Sequence, residues 1–509
     1  MLTLTIELQQ QDCCFSKLKK WKKCIMKKIS LLYLVLALTL LHHHSAKAEV
    51  KLPAILSSNM VLQRNTTVVL WGWADPNEKI YIKTSWSKKT FKIQADEQGN
   101  WEIKVETTNS KEPQTIVFKG KESDIKVENV LFGEVWLCSG QSNMQMPLKG
   151  FAGQPTFGSA MAIAKAKNSN LRLFKIDTAS SRTPLSDLVT NKTWQQSTPE
   201  SAAEFSAVAY FYGNQLQEIL DVPVGLIQSA WGGSTVRAWI SHEALSEIEE
   251  IDLNTLDSFI KPNLIPTVLF NAMIHPIIPF TIKGVLWYQG ENNRNEPVQY
   301  KKLLPTMVQD WRNRWEIGNF PFYYVQISPF KYSSYTAFQE VENTAFMRES
   351  MLQCLSLIPN SGIAITSDVG DEFSIHPPNK KEVADRLLFN ALHKTYGNKA
   401  VDFSGPVFDT LIVRNKGIIL SFKYAENGLY SFQKNIDGFE IAGENKVFFP
   451  AQAKIIYRKN VRVESDSVPN PVAVRYAWRN WVNATLFDVN LLPASSFRTD
   501  NWEDATVKL

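Results

Sequence analysis

Gly133-Glu134-Val135-Trp136-Leu137-Cys138-Ser139-Gly140-Gln141-Ser142-Asn143-Met144 begins as an apolar run and turns abruptly polar. The first half reads as a buried strand, being short, apolar and rich in residues that favour extended backbone. The second half holds Gly140 and then Ser142. A serine just beyond a buried strand is rigidly held, exposed at a sheet edge and close to backbone N–H donors, which is where a nucleophile works. An ordinary strand-to-loop turn is the competing reading, because Ser, Asn and Gly favour turns for local reasons. The stretch is not a G-x-S-x-G elbow, since Met144 stands where the second glycine would be.

Working outward, residues 129–398 alternate strand and helix patterns, the mark of a largely parallel α/β sheet. Ser206–Leu220 predicts a helix, with Val208, Phe211, Tyr212, Leu216 and Leu220 at helical spacing. Strands are predicted at Val224–Ala230, Gly284–Tyr288, Phe322–Ile327 and Ile363–Thr366. Asn379 is placed to cap a helix whose apolar face is Val383, Leu387, Leu388, Ala391 and Leu392. Ser142, the Gly232-Gly233 pair, Gln289-Gly290 and the loop holding His376 all follow the C-terminal ends of predicted strands. In an open α/β sheet those ends share one edge, so residues far apart in sequence meet there. Residues 49–128 predict a β-sandwich, with turns at Asp75-Pro76-Asn77 and Gln98-Gly99-Asn100. Residues 399–509 return to β character, as in Gly417–Phe422 and Lys454–Tyr457.

The net charge of +5 over 509 residues is concentrated at the start: residues 1–48 hold eight Lys and two acids. The remainder carries 47 basic and 48 acidic residues, which gives no argument for a nucleic-acid partner. Lys27-Lys28, the apolar run Leu31–Leu41 and Ala46-Lys47-Ala48 read as a signal peptide over residues 1–48, with Met26 an alternative start. Cleavage there implies a periplasmic or secreted protein without stable membrane contact, an uncleaved anchor being the alternative. Only Cys138 and Cys354 then remain, as two buried thiols or one disulfide. The four remaining histidines are His242, His275, His376 and His393. No metal-ligand spacing, phosphate-binding loop or dinucleotide fingerprint is present, and no cofactor is inferred.

Gly-Gln-Ser-Asn-Met after Gly-Glu-Val-Trp-Leu resembles the nucleophile block of SGNH-type carbohydrate esterases, and within them the sialate O-acetylesterase family. Gly232-Gly233, Gln289-Gly290-Glu291 and Ser374-Ile375-His376-Pro377-Pro378-Asn379-Lys380 resemble further blocks in the same order, as do Met60–Arg64 and Ala473–Trp478 in the flanking regions. The resemblance implies an SGNH-hydrolase-like parallel sheet flanked by an N-terminal β-sandwich and a C-terminal β-rich region. It makes Ser142 the nucleophile and His376 the base, with His275 as competitor. The oxyanion hole would combine the Ser142 N–H, an N–H of Gly232 or Gly233, and the Gln289 side chain.

The third triad member departs from the pattern. SGNH enzymes place an Asp three residues before the His, where this chain has Phe373. Asp371 is the choice among Asp368, Asp371, Glu372 and Glu291, and a dyad oriented by a backbone carbonyl is the alternative. Arg237 stands where many members carry Glu; it can pair with a substrate carboxylate or with a structural acid. Glu291 is a further substrate-binding candidate. Trp231, Trp239 and Trp287 can stack on a sugar or simply pack. The expected function is removal of O-acetyl groups from sialic acids, with xylan or another acetylated glycan as alternative substrate. A non-catalytic glycan-binding protein is the alternative from another class.

Overall fold

The computed structural model describes residues 21, 49–122, 124–249, 261–334, 343–432, 435–502 and 506–507. The expected signal peptide lies outside the described residues except for Trp21, which is helical and exposed. Val50–Leu509 packs as one compact unit.

Strands β1 (Val61–Gln63), β2 (Thr67–Trp73), β3 (Lys79–Thr84), β4 (Thr90–Gln94), β5 (Asn100–Glu106) and β6 (Gln114–Lys119) precede the long strand β7 (Asp124–Gly140). β2 and β5 form one antiparallel ribbon, and β4, β3, β6 and the start of β7 form a second sheet. Val68, Leu70, Trp101 and Val105 from the first meet Ile80, Ile82, Ile116 and Phe118 from the second in a shared core. The sheet partners of β7 change along its length: β6 from Asp124 to Val130, β1 from Leu131 to Gly133, then the strands of the central sheet. The expected boundary at 128/129 therefore falls inside a single strand.

β8 (Asn168–Lys175), β9 (Gln195–Ser197), β10 (Val224–Ala230), β11 (Gly284–Tyr288), β12 (Phe322–Val325) and β13 (Ser361–Ala364) complete the central sheet, in the order β13-β12-β11-β7-β10-β8-β9. All pairs are parallel except β8 with β9. After β7 the chain builds first toward β8 and β10, then toward β11, β12 and β13 on the other side. That reversal leaves a crevice at the carboxyl end of β7, the position where open α/β sheets bind ligands.

Alternation along β7 divides the core. Val135 and Leu137 pack with Val285 and Trp287 on one face, and Trp136 and Cys138 pack with Leu286 and Tyr288 on the other. Helix Pro297–Trp315 covers the first face through Leu303, Leu304, Met307 and Trp311. Helices Ala207–Leu220 and Lys380–Asn390 cover the second. Asn379 Oδ1 accepts from the Glu382 N–H, the cap expected of it, and Ser206, predicted as the first helical residue, is instead a cap whose Oγ accepts from the Ala209 N–H. β12 and β13 end two residues earlier than the sequence predicts.

In the C-terminal region, Val407–Arg414, Gly417–Lys423, Asn460–Glu464 and Gln452–Ile456 pair antiparallel in that order. A second sheet joins Phe497–Arg498, Ala473–Tyr476, Phe439–Ala442 and Val447–Pro450. The region has its own core around Ile418, Leu420, Ile441, Val461 and Tyr476. The architecture is thus mixed α/β, with β-rich regions before and after the central sheet. Cys138 and Cys354 are both buried free thiols. Among the described residues, no helix is long and apolar enough to cross a membrane.

Candidate active site

β7 ends against β11. Gly140 has φ of +141°, and a Cβ there would lie 2.2 Å from the Tyr288 carbonyl oxygen. Only glycine passes, and the chain turns at once. The Gln141 N–H donates to that same carbonyl at 2.9 Å. Ser142 then opens a single helical turn, Ser142–Gln145, so its own N–H has no carbonyl four residues back to bond. Gly232, in the loop after β10, lies against it: a Cβ on Gly232 would be 3.3 Å from Ser142 Cβ.

His376 arrives on the loop after β13, 234 residues further along the chain. Its Nε2 is 2.8 Å from Ser142 Oγ. Its Nδ1 is 2.7 Å from the side-chain oxygen of Gln154. The amide oxygen can only accept, which places a proton on Nδ1 and leaves the Nε2 lone pair facing the Ser142 hydroxyl. The loop is braced by Ser374, whose Oγ donates to the His376 carbonyl and accepts from the His376 N–H, and by the Asn143 amide on the Ile375 carbonyl. Phe151 packs edge-on to the imidazole. Burial, with the nearby Lys380 charge adding to it, lowers the His376 pKa to about 4, so the ring is neutral at physiological pH.

Several expectations are corrected here. Asp371 is not beside the imidazole: its Oδ1 accepts from the backbone N–H groups of Phe373 and Ser374, which closes its own loop. The neighbouring acids are also engaged, Asp368 in a two-pronged pair with Arg386 and Glu372 with Lys331. Phe373 is 64% exposed. The position beside Nδ1 belongs to Gln154, which no catalytic pattern in the sequence marks.

Gln289 is fully buried and spends its amide N–H groups on the Ser234 carbonyl and Asn293 Oδ1, so it is a loop brace rather than an oxyanion donor. Glu291 is buried as well, with Oε1 accepting from Asn143, and is withdrawn from substrate. Arg237 pairs with Glu296 at 2.8 Å and with Gln299. The Gly232 N–H, beside Ser142, donates to Gln145 Oε1 at 2.8 Å. Gly233 follows in a left-handed turn, its carbonyl accepting from Asn292 Nδ2.

His275 Nδ1 donates to the Leu185 carbonyl, and the ring lies beside Phe270, a packing role. His242 is exposed, and His393 is half-buried against Phe403. Trp239 and Trp287 are buried edge to face, which removes them from sugar stacking, and Trp231, next to Gly232, is half-buried against the core. Among the described residues, no group of three or more His, Cys, Asp or Glu side chains is arranged to hold a metal ion.

Comparison with known proteins bears on this geometry. The family model described as carbohydrate esterase, sialic acid-specific acetylesterase, matches residues 132–376, from within β7 to His376 itself. Sialate O-acetylesterase of Homo sapiens is 29% identical over 484 residues, covering 88% of this chain and 91% of that protein. The Mus musculus enzyme is 27% identical, with 86% and 91% covered. A solved carbohydrate acetylesterase from Xanthomonas citri is 35% identical and superposes with a TM-score of 0.81 over 89% of this chain and all of that one. The chain belongs to the sialate O-acetylesterase family. It is therefore a carboxylic ester hydrolase of the carbohydrate-deacetylating kind, and the non-catalytic alternative falls away.

Sequence reading missed Gln154, Asn143, Gln145 and Lys380. Lys380 left a usable signal: it shares the helical face of Val383, Ala384 and Leu387, so periodicity places a lysine among core positions. Asn143 directly follows the serine. Gln154 left none.

Proposed function

We propose that the chain is an exported serine esterase that removes O-acetyl groups from sialic acids through an acetyl-enzyme on Ser142. The observation that carries this reading is the His376 Nε2–Ser142 Oγ approach of 2.8 Å, with Nδ1 held by an acceptor. Ser142 Oγ attacks the acetyl carbonyl while His376 takes its proton. The imidazolium returns that proton to the departing sugar oxygen. Water, deprotonated by the same imidazole, then releases acetate. The Ser142 and Gly232 backbone N–H groups receive the oxyanion, which requires the Gln145 amide oxygen to leave Gly232 as the substrate oxygen arrives.

Gln154 is neutral. It orients the ring but does not offset the imidazolium charge as a carboxylate would. The reacting form is neutral His376, which is lost as pH falls through its pKa. The acid limb of kcat/KM is therefore expected near pH 4, where burial and Lys380 hold His376, rather than in the ordinary imidazole range. A pH profile on an aryl acetate checks this; an acid limb between pH 6 and 7 contradicts it. Gln154→Ala is expected to lower kcat about a hundredfold by releasing the ring. Gln154→Glu, by placing a carboxylate on Nδ1, should move the acid limb upward.

The Arg237–Glu296 pair favours a second reading in which the acetylated glycan is neutral, since a guanidinium already matched by a carboxylate has little left for a substrate anion. Acetate release from O-acetylated sialic acid, compared with acetylated xylan, separates the two. A quenched reaction with an aryl acetate should leave one acetyl group on Ser142. A steady state without that adduct in wild type or in His376→Ala would count against the covalent route. Export is supported by the leader-like pattern of residues 27–48, and a mature N-terminus at Glu49 would be its signature.

A further inference from the structure

Behind Ser142 lies a buried row of polar groups that acyl transfer does not use. Asn143 is 1% exposed, Lys380 0% and Glu291 3%. They come from three places: the serine's own turn, the start of helix Lys380–Asn390, and the loop after β11. The Asn143 side-chain oxygen accepts from Lys380 Nζ. Its nitrogen donates to Glu291 Oε1 at 2.6 Å and to the Ile375 carbonyl at 3.1 Å.

The orientation of the amide follows from its neighbours. The Lys380 amine, whose pKa burial lowers to about 7, donates on one side and Glu291 Oε1 accepts on the other, which fixes oxygen toward the lysine and N–H toward the glutamate. The second N–H then has one direction left, toward Ile375. That bond joins the residue after Ser142 to the residue before His376. Burying such groups is costly, and well-packed apolar residues of similar volume often do as well for stability. The polar trio thus needs a reason other than the core.

We propose that Asn143, Lys380 and Glu291 form a positioning unit for ester hydrolysis, in which the two charged groups orient the Asn143 amide and the amide fixes the His376 loop to the serine turn. The proposal rests on the reading of Ser142 and His376 given above. Lys380 has a second effect through its charge. It is the charged group whose field reaches the imidazole, and it opposes protonation. Phe151 and Gln154 on the other side of the ring are uncharged. On the loop of His376 itself, Asp371 is held by backbone N–H groups and Glu372 by Lys331. Glu291 is the acid facing Lys380, with Arg294 bearing on Glu291 in turn.

The test uses the full chain and two variants, with kcat, KM and the pH profile of kcat/KM measured on an aryl acetate. Asn143→Asp keeps the shape but turns a carboxylate oxygen toward Glu291 and the Ile375 carbonyl. It is expected to lower kcat about tenfold to a hundredfold while KM stays within about twofold, because positioning is lost rather than binding. Lys380→Met/Glu291→Gln removes both charges together and leaves neither one buried alone. It is expected to lower kcat similarly and to raise the acid limb by about one pH unit, as the cation behind the imidazole is gone. Folded variants with wild-type kcat and an unmoved acid limb would overturn the proposal, and if Asn143→Asp does not fold, the double variant decides alone. Ser142→Ala runs in parallel: if it keeps wild-type activity, the reading of the site has failed and not the positioning unit.

Discussion

Ser142→Ala is expected to hydrolyse an aryl acetate about a hundred-thousandfold more slowly than wild type, a loss of about 7 kcal/mol in transition-state stabilisation. The alanine leaves β7, the Gly140 turn and the Gly232 contact untouched, so the folded state should be indistinguishable by circular dichroism. His376→Ala should cost a similar factor. The two should not add: once Oγ or its base is missing, the other has nothing to do, and the double variant should match the singles. What remains comes from substrate binding and the backbone donors of the Ser142 turn. Multiplying losses in the double variant would mean that serine and histidine act in separate steps. An active Ser142→Ala enzyme would move the nucleophile elsewhere.

Arg348→Met should destabilise the fold by about 3–5 kcal/mol. Arg348 is fully buried in helix Ala345–Gln353. Its guanidinium donates to the carbonyls of Ala477 and Arg479, to Ser496 Oγ and to Thr344 Oγ1. Burial lowers its pKa to about 10, which still leaves it charged at neutral pH. Methionine fills much of the volume but leaves buried carbonyls without a donor, and each such group costs about 1–3 kcal/mol.

The same seam holds Gln326 Nε2 on Ser495 Oγ, Ser367 Oγ on the Ala494 carbonyl and Asn343 Nδ2 on the Trp478 carbonyl. The C-terminal region is thus tied to the ends of β12 and β13, just before the loop that carries His376. Urea unfolding of Arg348→Met should show a lowered midpoint, and Arg498→Met, at a partly exposed pair with Glu349, a drop of about 1 kcal/mol or less. Equal losses at the two positions would show that burial of the guanidinium is not what counts.

Much of the scaffold was legible because it is written in short-range terms. A run of apolar residues ending in glycine defines β7 and its turn. Helical spacing defines Ala207–Leu220 and, together with the Asn379 cap, Lys380–Asn390. The parallel sheet follows from alternating strands and helices, and with it the shared edge where Ser142, Gly232 and His376 meet. The scarcity of histidine narrowed the search for a base to four residues, and the resemblance of Ser374–Lys380 to a family block pointed to His376. The strand boundaries slipped where hydrogen bonding rather than composition ends a strand, as at β12 and β13.

The family, the serine turn, the histidine and the strands that bring them together could all be read from the chain alone, since each depends on residues close in sequence or on the periodicity of one element. How the polar side chains are used could not. Asp371, Glu291, Gln289 and Arg237 all have the chemistry of site residues, but each satisfies a partner within the folded protein: a loop backbone, Asn143, a buried loop and Glu296. Gln154 takes the place beside the imidazole although 222 residues separate the two. A side chain acts on substrate only when folding leaves it a free and exposed polar atom, and which atoms are left free is settled by hydrogen bonds across the whole chain.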